Sequence, residues 1–118
     1  MNRERGAATL AVAGALLLLL VLTGAGSVIA GYLVAAQRAR GAADLAAVSA
    51  AARHAAGAPG CPTAQRLAAA QGASVLRCTE TGDTIDFVVS VEVAIPVDAP
   101  VPGLPTRATG RAHAGRLG

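Results

Sequence analysis

At 118 residues with a formal net charge of +3, the chain has room for one small folded unit and little more. Its ten basic residues are all Arg and never form a run, so a nucleic-acid surface is not indicated. Tyr32 and Phe87 are the only aromatic residues and much of the apolar content is alanine, so any core is thin and needs a staple or partners.

Residues 1–6 form a short polar head carrying Arg3 and Arg5. Ala7 to Ala36 then runs for thirty residues without a charge, centred on Leu16 to Leu22. A membrane core takes about 20 apolar residues of helix, so 7–36 reads as a transmembrane helix with residues to spare. The alternatives are the buried helix of a soluble domain and a cleaved secretory signal ending near Thr23-Gly24-Ala25. The pattern continues past that point through Val28 to Val34, which favours an uncleaved span. Arg before the span favours a cytoplasmic N-terminus, although Arg38 and Arg40 follow its far end.

Ser27, Gly31 and Ala35 fall four apart, and Ala39, Ala43, Ala47, Ala51 and Ala55 extend the row. Small residues at this spacing let helices approach closely in lipid, so Ser27, Gly31 and Ala35 are the candidate helix-packing residues. Residues 37–57 continue the helix outside the membrane. There Leu45, Val48 and Ala52 form an apolar stripe, and Arg40 and Asp44 an i, i+4 pair. The helix stops at Gly57 to Gly60.

Residues 58–118 read as a small α+β domain. Thr63 to Gln71 is a short helix with Pro62 in its first turn and Gly72 at its end. Ser74 to Glu80 is a strand with Leu76 and Cys78 on one face, and Thr81-Gly82-Asp83 a turn. Thr84 to Ile95 alternates strictly, with Ile85, Phe87, Val89, Val91, Val93 and Ile95 on one side. The Pro-rich loop 96–105 follows, and Thr106 to Ala114 is an edge-like strand. The predicted fold class is α+β and pilin-like: a long N-terminal transmembrane helix continuing outside the membrane, a short second helix, and a three-stranded antiparallel sheet.

Cys61 and Cys78 both follow the span, and the simplest reading is a disulfide in a domain outside the cytoplasm. Two reduced thiols are the alternative. His54 and His113 read as solvated. The carboxylates Glu80, Asp83, Asp86 and Glu92 read as a solvated strand face, with a cation site at the hairpin as the rival. No catalytic, cofactor-binding or metal constellation is expected, and no small-molecule substrate.

Glu4-Arg5-Gly6-Ala7-Ala8-Thr9 opening into a span, followed by Gly41-Ala42-Ala43-Asp44-Leu45-Ala46 in an Ala-rich segment, resembles the TadE/TadG-like proteins of the tight-adherence (Tad, or Flp-type) pilus systems. The short length and Arg bias look most like small actinobacterial TadE-like members. The resemblance covers roughly residues 4–52. It implies a minor pilin or pseudopilin-like subunit that assembles with other pilin-like or Tad-type subunits through its transmembrane helix, and no enzymatic activity. Gly6 and Ala7 would flank the processing junction. Ala11 takes the place of the Glu that many members carry five residues after the glycine, which implies a permanently anchored accessory subunit. The rival function is a secreted or membrane-anchored binding module with no part in pilus assembly.

Overall fold

The computed structural model describes residues 2–116, with side chains from Glu4 onward; Met1 and the Arg3 side chain of the polar head lie outside the described residues. The elements are α1 (Asn2–Ala55), α2 (Cys61–Ala70), β1 (Ser74–Gly82), β2 (Phe87–Pro96) and β3 (Arg107–Arg116). The chain divides into two compact units, Met1–Gly31 and Tyr32–Gly118. The division falls inside the charge-free run, so Tyr32 to Ala36 belong to the second unit.

The first unit is helix alone. Its large side chains, from Leu10 to Leu22, are exposed. Among the described residues one helix is long and apolar enough to cross a membrane, and its most apolar window is uncovered, as a lipid-facing segment is and a soluble core helix is not.

The second unit is an antiparallel sheet in the order β1-β2-β3 packed on the C-terminal part of α1 and on α2. The α1 side of the core is alanine throughout: Ala39, Ala42, Ala43, Ala46, Ala47 and Ala50 are almost completely buried. Facing them are Phe87, Val89, Val91 and Val93 of β2, with Ala112 of β3 and Ala64 and Ala68 of α2. Small side chains on the helix let the sheet come close, and the valines fill the gap. The approach is tightest at Gly110, where a Cβ would collide with the Ala39 backbone.

Alanine, then, is the packing face, and the stripe read from sequence points the other way: Leu45 is 44% and Val48 61% exposed. Arg40 and Asp44 are not ion-paired with each other among the described residues.

Both helices end alike. The Gly57 and Ala58 N–H groups donate to the His54 and Arg53 carbonyls, and those of Gly72 and Ala73 to Ala69 and Ala68. These are paired bonds that satisfy last-turn carbonyls. Helix α2 starts at Cys61, two residues earlier than the sequence reading, with Pro62 in the first turn.

In the sheet two expectations are corrected. A bulge between Val75 and Arg77 shifts the register, so Val75 and Cys78 pack on the core and Leu76 is exposed. Strand β2 begins at Phe87, not Thr84, because the Asp83 carboxylate accepts the Ile85 and Asp86 N–H groups at 2.8 and 2.7 Å and closes a turn there. Ile85 is consequently exposed. Strand β3 alternates as its sequence predicts, with Arg107, Arg111 and His113 outward and Gly110 and Ala112 inward.

Candidate functional site

The distal end of the second unit, where α1 stops, is held by a set of cross-ties that local sequence does not reveal. Helix α2 has Gly60 as its N-cap and therefore no capping side chain of its own. Glu80 of β1 supplies one: its carboxylate accepts the N–H of Gly60 at 2.7 Å and of Cys61 at 3.4 Å. A carboxylate at a helix N-terminus also suits the helix dipole. Gly60 is obligatory here, since a Cβ would run into the Ala50 carbonyl and the Glu80 carboxylate.

The same carboxylate meets His54, in the last turn of α1, with Nδ1 to Oε1 at 2.9 Å. The other ring nitrogen, Nε2, lies 2.8 Å from the Asp83 carbonyl oxygen. The ring also rests against Phe87, centroids 4.6 Å apart. Both nitrogens thus face acceptors. A neutral imidazole has one N–H and can serve one of them; an imidazolium serves both. Hydrogen bonding to Glu80, then to Asp83, raises the His54 pKa above its ordinary 6.5 against the opposing effect of burial. Burial pushes the Glu80 carboxyl up, but the bonds from His54, Gly60 and Cys61 outweigh it and hold the group below its ordinary 4.5. The N–H groups of Asp86 and Ile85 lower that of Asp83.

The Cys61–Cys78 disulfide is formed, joining the first residue of α2 to β1 two residues before Glu80. Bond and carboxylate tie the same two elements, and His54 adds the end of α1.

The remaining residues singled out in the sequence do not converge. The Ser27 hydroxyl donates to the Thr23 carbonyl at 2.9 Å, within its own helix. Gly31 is exposed, with no atom within 4 Å of where a Cβ would stand. Ala35 is only 9% exposed, already covered within the second unit. Gly6 and Ala7 are exposed helical residues of the first unit.

His54 and Glu80 correct the reading of both as solvated: each is partly buried and bonded. His113 does face solvent, where its Nδ1 meets Ser90 Oγ at 2.7 Å as a cross-strand pair. On the same outer face Arg111 Nε pairs with Glu92 at 3.3 Å. An open concavity of about 490 Å³ beside the clasp is lined by His54, Pro59, Glu80, Asp83 and Thr84. His54 in it is already bonded to Glu80 and to the Asp83 carbonyl, and no trio of His, Cys, Asp or Glu converges to hold a metal among the described residues. The geometry is that of a fastening.

Comparison of the chain with protein-family models, with curated proteins and with solved structures gives no match.

Proposed function

We propose that this chain is a membrane-anchored structural subunit, a minor pilin or pseudopilin-like component of a Tad-like pilus or secretion apparatus. Residues 7–36 anchor it with the N-terminus in the cytoplasm, and the disulfide-stapled unit stands outside. The observation that carries the reading is the unbroken helix α1, apolar and bare over its first part and clad by a small sheet over its second. Within the second unit the sheet covers one face of α1 and leaves Gly41, Leu45, Val48 and Ala52 open on the other, which suits side-by-side assembly. The order of Arg-Gly head, span and Ala-Asp segment supports the Tad-like assignment. Against a binding module for a cation, the carboxylates of Glu80 and Asp83 already accept backbone N–H groups.

In this reading partner subunits contact Ser27 and Gly31, the two of the three candidate packing residues that are exposed. Gly31→Leu then abolishes recovery of crosslinked partner subunits from membranes while leaving insertion intact, because Leu is at least as lipid-soluble. Gly31→Ala leaves recovery unchanged. The reading predicts that the crosslinked partners are other single-pass, pilin-like subunits. Undiminished recovery with Gly31→Leu rejects this face, and a chain that crosslinks to no envelope subunit rejects the assembly role.

A further inference from the structure

The loop between β2 and β3 carries two exposed large apolar side chains, Val101 at 55% and Leu104 at 37%. They sit in a stretch, Ala99 to Thr106, without a charge. At its C-terminal side the loop is fastened to α1: the Tyr32 hydroxyl donates to the Pro105 carbonyl at 2.6 Å. Tyr32 belongs to the charge-free run and lies six residues, about 9 Å of helix, before Arg38. A long side chain on a helix leans toward the helix N-terminus, so the hydroxyl and the loop it holds lie on the apolar side of the Tyr32 backbone. The sheet packing agrees. Gly110 abuts Ala39, and the three residues of strand back to Arg107 cover about 10 Å, as does the helix from Ala39 back to Tyr32.

Resting on the anchored reading above, we propose that this loop is a foot that rests in the interfacial layer of the same bilayer, with Val101 and Leu104 in contact with lipid. Tyrosine is the residue type that settles at this level, and Arg38, Arg40 and Arg107, all exposed, suit anionic headgroups. The loop backbone suits the environment too. A free N–H is costly where water is scarce. Four of the ten residues 96–105 are prolines with no N–H, and the N–H groups of Val97 and Leu104 are bonded to the Thr106 and Val101 carbonyls. Asp98, at the root of the loop, marks the side that stays in water, and the irregular backbone keeps the foot in the interface and out of the hydrocarbon. A foot of this kind fixes the height and tilt of the sheet on the membrane, which a lone helix leaves free.

The chain has no tryptophan, so a single introduced one reports its own surroundings. Full chains carrying Val101→Trp, Leu104→Trp, Leu18→Trp or Ile85→Trp are reconstituted into vesicles of phosphatidylethanolamine and phosphatidylglycerol, with and without bromines on the upper acyl chain. The foot predicts that Trp at 101 and at 104 emits to the blue of Trp at 85, is quenched about twofold by brominated lipid, and is shielded from acrylamide. Trp at 85, on the exposed distal turn, shows none of this. If Trp at 18 is quenched and both loop positions behave like 85, the foot is wrong and the anchor stands. If Trp at 18 is not quenched either, the anchor fails and the foot with it.

Discussion

Helix α1 is two helices in terms of what it asks of its surroundings. Up to Gly31 its large apolar side chains from Leu10 to Leu22 are bare. From Ala35 to Ala51 the covered side chains are all alanine, and the large ones, Leu45 and Val48, point away from the sheet. Hydrophobicity alone would rank the first part as the better core. Size decides instead: leucine is comfortable in lipid, which conforms to any shape, whereas a sheet that must approach the helix backbone tolerates only a methyl group. From Ala35 to Ala51 of α1, then, small residues mark the sheet-facing surface, and the large Leu45 and Val48 face away from it.

The staple offers the largest effect with which to press that contrast. Because the alanine–valine core is thin, replacing Cys61 and Cys78 together by Ala should remove about 3 kcal/mol from the second unit. The first part of α1, which contributes nothing to the sheet-facing core, should keep its helicity. Denaturant unfolding of the full chain in detergent, followed by circular dichroism, would show loss of strand signal at lower denaturant with the helical signal partly retained.

Next in size is a direct exchange of rules. Ala46→Leu puts a lipid-type residue on the sheet-facing side and should cost about 2 kcal/mol or more by overpacking. Leu18→Ala, in the first unit, should leave the second unit's unfolding midpoint unmoved. Equal midpoints for Ala46→Leu and the wild-type chain would show that the helix face is not tightly packed.

The clasp sharpens the comparison through pH. The raised His54 pKa means a stabilising contribution that is complete below about pH 6.5 and is lost as pH rises through the folded-state value. The lowered Glu80 pKa means a contribution present above about pH 4.5 and lost as pH falls through its folded-state value. The second unit should therefore be most stable in the mildly acidic range and weaken toward alkaline pH. His54→Gln should flatten the alkaline side of that profile, measured as unfolding midpoint against pH. Persistence of the alkaline decline in His54→Gln would assign it to another group.

The smallest effect is expected where a large apolar residue faces away from the sheet. Leu45→Ala should change stability by no more than about 0.5 kcal/mol, against the 2–5 kcal/mol of a buried Leu. A loss in the core range would mean that this face is covered.

Much of this was legible in the residues. A thirty-residue stretch without charge and the period-two run from Phe87 to Ile95 announce a bare helix and a central strand, and Cys61 and Cys78 had few other uses. The packing face was not legible, because alanine occurs on every side of residues 35–56 and offers no contrast in period, while Leu45 and Val48 supplied a misleading one. The bulge at Leu76 has no local signal such as a glycine. The clasp joins His54 to Glu80 across 26 positions, and the loop tie joins Tyr32 to Pro105 across 73, so neither is a motif in sequence. The one hint for the clasp was negative: a helix starting at Gly60-Cys61-Pro62 with no capping side chain must find its acceptor elsewhere.

In the function proposed above, one helix anchors this chain in a membrane and the stapled unit stands on the far side. Alkaline phosphatase, active only outside the cytoplasm, fused after Gly118 tests it in a single cell fractionation. The expected result is an active enzyme that stays with the membrane pellet after an alkaline carbonate wash. Active enzyme released to the soluble fraction would mean that the apolar stretch is a removed signal, and an inactive fusion in the pellet would place the stapled unit on the cytoplasmic side; either contradicts the account.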